Sequence, residues 1–326
     1  MKTQKTWPVF LFSFFVCLPL WWSFNVAAEN LGQVVLAHAL AVDPRFLLAQ
    51  ASQGRLQAQI DEVGPIIHRP KPDLDIAAKS ALAIKLENGK IRVIFQKNSL
   101  EKTPIASLSK LLTALVVLEN YKLTDQTEIS KIAVAQEEDT GQFKAGERLT
   151  VEALLHSALI ESSNDAAYAL ADIVGQEAFV DLCNLTAQKI GLKDTHFVNV
   201  NGLIIDGKTG QEAENYSTAA DLAVLAQYIL ENQPLVWEIL AKQKYELLTA
   251  DGAGHHTVFT TNELLAETPN MLAGKTGWTE TAGGCLLAVM KGERPDSFYI
   301  NVILGSDDRF SEMRKLINWQ SQLNNN

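Results

Sequence analysis

The segment TPIASLSKLLTALVVLEN, residues 103–120, sets a hydroxyl three residues ahead of an amine, at Ser107 and Lys110. Pro104 suits a first helical turn, and Leu108, Leu111, Leu112 and Leu115 recur at helical spacing, so Ser107 and Lys110 share one face at a helix start. A serine hydroxyl is a poor nucleophile until a base takes its proton, and a lysine whose pKa is depressed by burial or cationic neighbours can be that base. The helix start adds backbone N–H groups that could receive a developing oxyanion. Alone, S-x-x-K is commonplace, because serine often caps a helix that carries lysine on its next turn. Ser109 is a decoy on a different face.

Two further features sharpen the signal. The helical run VEALLHSALI is followed by ESSNDAAYALAD, where Ser162-Ser163-Asn164 interrupts two helices and directs a hydroxyl and an amide from a turn. In MLAGKTGWTETAGGCLLAV, Lys275-Thr276-Gly277 stands at the start of a β-rich tail, with Gly283-Gly284 as a turn before a strand at Cys285. A rival lysine lies in GLIIDGKTG, Gly202–Gly210, which matches both a phosphate-loop pattern and K-T-G. A phosphate loop needs small residues between a strand and an opening helix. Here the interior is Leu203-Ile204-Ile205-Asp206, and the next helical pattern starts near Ser217. The nucleotide reading fails on that context.

The elements that must position these groups are legible in outline. SALAIKL and IRVIFQ flank Asn88-Gly89, a strong hairpin signal. A helix-rich middle runs from about 104 to 231, then CLLAVM and FYINVIL read as strands and RFSEMRKLINW as a closing helix. Strands at both ends with helices between predict an α+β fold whose antiparallel sheet is closed by distant segments.

The chain has 326 residues, 47% hydrophobic and 20% charged, enough for one large domain or two small ones. Its 28 Lys and Arg against 38 Asp and Glu, a formal charge of -10, argue against a general nucleic-acid binder. Lys2 and Lys5 precede the apolar run Trp7 to Phe24, and Val26-Ala27-Ala28 offers a signal-peptidase site; the same run is close to the length of a membrane anchor. Residues 1–28 are therefore a signal peptide or an N-terminal anchor, and both readings place the remainder outside the cytoplasm. Residues 29–76 read as a short helical preface and a Pro-rich linker. Cys17 lies in the apolar run, while Cys183 and Cys285 read as buried thiols. The six histidines are scattered, and His255-His256 lacks a third ligand at suggestive spacing, so the pair reads as a solvated loop; no metal or cofactor is expected.

In serial order, S-x-x-K, S-x-N and K-T-G resemble the signature of penicillin-binding proteins and serine β-lactamases. PIASLSKLLTALVVLE, SSNDAAYALA, HFVNVNGL with YSTAADLAVLA, and TTNELL extend the resemblance over about residues 77 to 320, closest to the low-molecular-weight penicillin-binding proteins, the serine D-Ala-D-Ala carboxypeptidases and endopeptidases. One departure is Glu161-Ser162-Ser163, where that family commonly has Pro-Ser-Gly. The resemblance implies a β-lactamase/transpeptidase-like catalytic domain over 77–326 that acts on peptidoglycan stem peptides and is acylated by β-lactams. It implies Ser107 as nucleophile and Lys110 as its base. Ser162 would be a proton shuttle to the leaving amine, and Asn164 would hold Lys110 and the substrate amide. Lys275 and Thr276 would bind the terminal carboxylate, Gly277 would allow close approach, and the N–H groups of Ser107 and Trp278 would form the oxyanion hole.

The resemblance leads to a D,D-carboxypeptidase in the periplasm or on the outer face of the cytoplasmic membrane, held there only if the N-terminal segment is uncleaved. The alternative is a D,D-endopeptidase cutting cross-links, favoured by an end about fifty residues past Lys275, with no room for an extra β-rich domain or a C-terminal anchor. A β-lactamase lacks an identifiable deacylating carboxylate, and a non-catalytic sensor would have lost a catalytic group. The choice between the two K-T-G copies is testable by penicillin acylation: Lys208→Ala stays within a few-fold of wild type, whereas Lys275→Ala loses on the order of a hundredfold or more, as expected for a group used in the transition state. Equal losses would reverse the assignment.

Overall fold

The computed structural model describes residues 74–137 and 142–324, together with Gly54, Leu56 and Ala58. The expected export segment 1–28, with Cys17, and nearly all of the preface and linker lie outside these residues. Gly54, Leu56 and Ala58 are helical, and Leu56 is buried in the main core.

The chain opens with the hairpin of β1 (Ser80–Glu87) and β2 (Lys90–Lys97). Asn88 and Gly89 both take positive φ, 51° and 66°, the turn that matches the strands' own twist. A short strand β3 (Thr103–Pro104) and a 3-10 turn (Ala106–Ser109) lead into α1 (Lys110–Asn120). Next come β4 (Gln126–Glu128), which pairs with β5 (Arg148–Thr150), and the helices α2 (Val151–Ile160), α3 (Asn164–Asp172) and α4 (Gln176–Lys189). A loop returns to β6 (Tyr216–Ser217), which pairs with β3, and to α5 (Ala219–Asn232) and α6 (Leu235–Leu240). The hairpin of β7 (Lys244–Leu248) and β8 (Gly254–Phe259) and the single turn α7 (Leu264–Glu267) precede β9 (Met271–Thr279), β10 (Gly283–Lys291) and β11 (Ser297–Ser306). The chain closes on α8 (Arg309–Asn324).

The main sheet has five antiparallel strands in the order β2-β1-β11-β10-β9, so segments more than two hundred residues apart in sequence meet where β1 pairs with β11, as in Ser80 with Leu304. Alternation divides its side chains between two cores. Leu82, Ile84, Ile300, Val302, Leu287 and Val289 face the helical middle, while Ala81, Ala83, Ile303, Leu286 and Ala288 face α8. The sheet is therefore covered on both faces, which explains why β10 reads as a continuous apolar run rather than an alternating one. Side-chain caps start three helices: Thr150 on α2, Ser163 on α3 and Thr218 on α5 each accept from a backbone N–H three residues on.

Two expectations need correction. Pro104 does not open the helix: it pairs with Tyr216 across β3 and β6, and Ile105 donates its N–H to Asn215 O at 3.1 Å. Proline's missing donor is tolerated at the edge of so short a strand, and Ala106, at φ 47°, turns the chain before helical geometry begins. The turn before Cys285 is made by Glu280–Ala282, since Gly283 already pairs with Thr279 in β10.

One contact fixes the start of α1. Gly202 has φ +88°, and a Cβ there would lie 2.1 Å from Ala106 O and 2.9 Å from Ser107 N. Only glycine lets the loop approach this closely. Gly202→Ala should cost about 2–4 kcal/mol in chemical denaturation, from backbone strain and overpacking together. Gly207→Ala, at φ +73° in open space, should cost about 1 kcal/mol from strain alone. Equal losses would show that the close approach is not what matters.

Candidate active site

Ser107 lies in the 3-10 turn and Lys110 is the first residue of α1. In 3-10 geometry residues i and i+3 eclipse, which sets hydroxyl and amine in line; Lys110 Nζ donates to Ser107 Oγ at 2.9 Å. Lys110 is 1% exposed while Ser107 is half-buried, so the Ser107 hydroxyl remains reachable and its partner is shielded. Ser109 is fully buried: its hydroxyl donates to Ala106 O at 2.6 Å and accepts from Asn215 Nδ2 at 2.8 Å. It braces the turn and cannot serve as a nucleophile.

α1 buries every residue from Lys110 to Val117, so an amine at its start needs polar company from elsewhere. Lys110 Nζ also donates to Asn164 Oδ1 at 2.7 Å and to Asn201 O at 2.8 Å. Asn164 opens α3, and its Nδ2 donates to Glu137 O at 2.9 Å, which turns Oδ1 toward the lysine. Asn201 is held in turn by Gln136 at 2.9 Å. A neutral Lys110 can keep the Asn164 and Asn201 contacts with its two N–H groups and direct its lone pair at Ser107.

A second hydroxyl–amine pair stands beside the first. Lys275 Nζ donates to Ser162 Oγ at 2.7 Å and to Thr276 O at 2.9 Å. Ser162 sits between α2 and α3 at φ 67°, a left-handed position that is costly for serine and typical of functional turns. Burial holds the Lys275 amine well below its ordinary pKa, and the positive charges of Lys110 and Arg309 add to that effect. The unfolded chain binds this proton more tightly, so Lys275 makes the fold gain stability as pH rises toward the ordinary lysine value. An anion bound beside it would restore the charge.

β9 is an edge strand of the main sheet. Thr276 Oγ1 is hydrogen-bonded with Thr261 Oγ1, and a Cβ on Gly277 would lie 3.0 Å from Ser107 N, so glycine permits the strand to close on the turn that carries Ser107. Trp278 follows, 55% exposed. The structure thus brings Ser107, Lys110, Ser162, Asn164, Lys275, Thr276 and Gly277 together, with Trp278 next along the strand. Lys208 stands apart, exposed, with Glu212 at 3.9 Å. Asn201, Asn215, Gly202 and Arg309 were missed by sequence reasoning; the first three lie in or beside NVNG and ENYS, polar stretches with no periodicity to flag them.

The expectation of a solvated loop at His255-His256 is wrong. Both residues lie in β8 with side chains about one-tenth exposed, His255 beside Glu147 and His256 beside Glu161. Cys183 and Cys285 are buried free thiols; burial pushes Cys285 up to about 11 and Cys183 higher still, away from nucleophilic use. Among the described residues there is no cluster of His, Cys, Asp and Glu able to hold a metal, and no helix long and apolar enough to cross a membrane.

A family model for D-alanyl-D-alanine carboxypeptidases of the S11 peptidases matches residues 67–308. The chain is 30% identical over 252 residues to D-alanyl-D-alanine carboxypeptidase DacF of Bacillus subtilis, covering 74% of this chain and 61% of that one. It is 31% identical over 265 residues to a D-alanyl-D-alanine endopeptidase of Pseudomonas aeruginosa, covering 75% of this chain and 77% of the relative. The crystal structure of a D-alanyl-D-alanine carboxypeptidase from Mycobacterium tuberculosis H37Rv matches with a TM-score of 0.69 at 26% identity, over 80% of this chain and 96% of that one. The chain spans about three-fifths of the length of the curated carboxypeptidases it matches. With two hydroxyl–amine pairs set at the edge of such a sheet and a family match over most of its length, this chain belongs to the S11 peptidases, the D-alanyl-D-alanine carboxypeptidase family.

Proposed function

We propose that the protein is a serine-type D-Ala-D-Ala carboxypeptidase that trims peptidoglycan stem peptides through an acyl-enzyme and is acylated at the same serine by β-lactams. The observation that carries this reading is the reachable Ser107 hydroxyl 2.9 Å from the buried Lys110 amine, with Lys275 and Ser162 paired beside it. Neutral Lys110 takes the Ser107 proton as Oγ bonds to the carbonyl carbon of the penultimate D-Ala. The N–H groups of Ser107 and Trp278 receive the developing oxyanion. Collapse breaks the peptide bond, and the proton held by Lys110 is relayed through Ser162 to the departing amine of the terminal D-Ala, which leaves Lys110 neutral again and Ser162 a hydroxyl in contact with Lys275. The terminal carboxylate pairs with Lys275 and Thr276, in the positive field to which Arg309 contributes. Water then cleaves the Ser107 ester with Lys110 as base.

Export through residues 1–28 belongs to the same proposal: action on wall peptides requires an address outside the cytoplasm, in the periplasm or on the outer face of the membrane. Cleavage after Ala28 and retention as an anchor differ in the N-terminal residue of the exported protein. A second reading, D,D-endopeptidase action on cross-links, uses the same groups and is favoured by the 31% identity to an endopeptidase over 75% of this chain. Purified monomeric and cross-linked muropeptides separate the two: release of D-Ala from pentapeptide monomers, abolished in Ser107→Ala, is the expected result. Monomerisation of cross-linked dimers with no D-Ala released would replace the first reading by the second, and turnover persisting in Ser107→Ala would overturn both.

A further inference from the structure

A second set of titratable groups reaches the site from the β8 side. His255 Nε2 is 3.1 Å from Glu147 Oε2, His255 Nδ1 is 2.5 Å from His256 Nδ1, and His256 Nε2 is 3.2 and 3.4 Å from the two carboxylate oxygens of Glu161. Carboxylate, imidazole, imidazole and carboxylate thus form one chain. Glu161 immediately precedes Ser162 and also accepts from Ser157 Oγ at 2.7 Å. Ser163 N donates to Ser157 O at 3.2 Å, and Thr261 N donates to Ile160 O at 3.2 Å, so the turn that carries Ser162 is lashed to α2 and to the strand end after β8.

Counting protons determines what the chain requires. Ionised Glu147 and Glu161 only accept, so each Nε2 must carry a hydrogen. The Nδ1–Nδ1 contact then needs one hydrogen between its two nitrogens. That makes three hydrogens on four ring nitrogens, one more than two neutral imidazoles hold. With one fewer, a pair of lone pairs must face each other; with one more, two N–H groups collide at the centre. We propose that Glu147, His255, His256 and Glu161 are a strut complete only when the two imidazoles share a single extra proton, and that the strut positions Ser162 for proton transfer. The inference rests on the role given to Ser162 above and makes Glu161 and the histidines positioning residues.

The surroundings favour that state. Burial tends to raise Glu147, but the backbone N–H of Lys144 and the His255 contact outweigh it and hold the carboxyl below its usual range. The backbone N–H of Lys144 donates to Glu147 Oε2 at 2.8 Å, and the Lys144 charge also acts on that carboxyl. Phe143 packs against both rings, at 5.2 and 5.9 Å between centroids. β7 offers buried Leu247 at the bulge opposite the pair, with Glu246 across from Thr257. On α2, His156 stacks on Tyr245, and burial lowers its pKa, so it brings no charge near neutrality.

His255→Gln separates strut from proton: an amide can donate to Glu147 or to His256 Nδ1 without titrating, while neutral His256 still donates to Glu161. Ser107 acylation by a fluorescent penicillin, followed from about pH 5 to 9, should fall roughly tenfold in the wild type as the shared proton leaves, the scale of loss from a small misplacement of a catalytic group. The same step should be absent in His255→Gln, and His256→Ala should be slow by a similar factor at every pH. Superimposable profiles for wild type and His255→Gln would overturn the proposal. Ring-nitrogen NMR of the ¹⁵N-histidine-labelled wild type is independent of how the variants fold: three protonated nitrogens among the four support the strut, and two neutral imidazoles at the pH of fastest acylation refute it. Absence of acylation in the wild type, with the three-proton pattern intact, would instead overturn the reading of Ser107 and with it the positioning role.

Discussion

The structure depends on one costly act, the burial of the Lys110 amine at the start of an otherwise apolar helix. A buried ammonium or amine must be hydrogen-bonded, and the neighbouring 3-10 turn offers Ser107. The remaining acceptors come from Asn164 at the start of α3 and from the Asn201 carbonyl, 54 and 91 residues away in sequence. Three segments that share no local signal are therefore committed to one point. The second amine, Lys275, is brought to the same place by an edge strand, and burial first, with the nearby Lys110 second, depresses its pKa. The pair is an electrostatic cost in the free protein that an incoming carboxylate would relieve.

Backbone strain follows from the same demand. Ala106 and Ser162 both hold left-handed φ, at 47° and 67°, and each adjoins or carries one of the two lysine-paired hydroxyls. Such conformations persist where the surroundings over-determine them. Around Ala106 the constraint is close packing: Gly202 on one side leaves no space for a Cβ, and Gly277 on the other leaves only a tight one. Around Ser162 it is hydrogen bonding, from Ser163 to Ser157, from Ser157 to Glu161 and from His256 to Glu161. The two hydroxyls are thus fixed by different physics, one steric and one polar.

Much of this was legible in the sequence because it is local. Asn88-Gly89 needs only its own φ preferences to make a hairpin, and Ser107 and Lys110 need only helical spacing to meet. The phosphate-loop reading of Gly202–Gly210 could be set aside because Leu203-Ile204-Ile205 cannot wrap an anion, and the K-T-G at Lys208 because it falls in the loop before YSTAADLA. Long-range features were not legible. Pro104 looks like a helix start until Tyr216 pairs with it, and Asn215, which ties Ser109 to the loop, carries no pattern at all. His255-His256 misled for the same reason: as sequence they are two polar residues after a Gly-rich turn, and only Glu147 and Glu161, about a hundred residues upstream, reveal them as buried partners. The first glycine of the false phosphate loop, Gly202, proved important for a reason its motif did not suggest, namely its contact with the backbone at Ser107.

The central claim is that the Ser107–Lys110 pair, and no neighbouring hydroxyl, forms the covalent intermediate. Trapping the protein with a penicillin, digesting it and mapping the modified peptide by mass spectrometry tests this directly. The account predicts one adduct per chain, carried by Ser107. A label on Ser109 or Ser162, or a protein that stays unmodified at saturating penicillin, would contradict it.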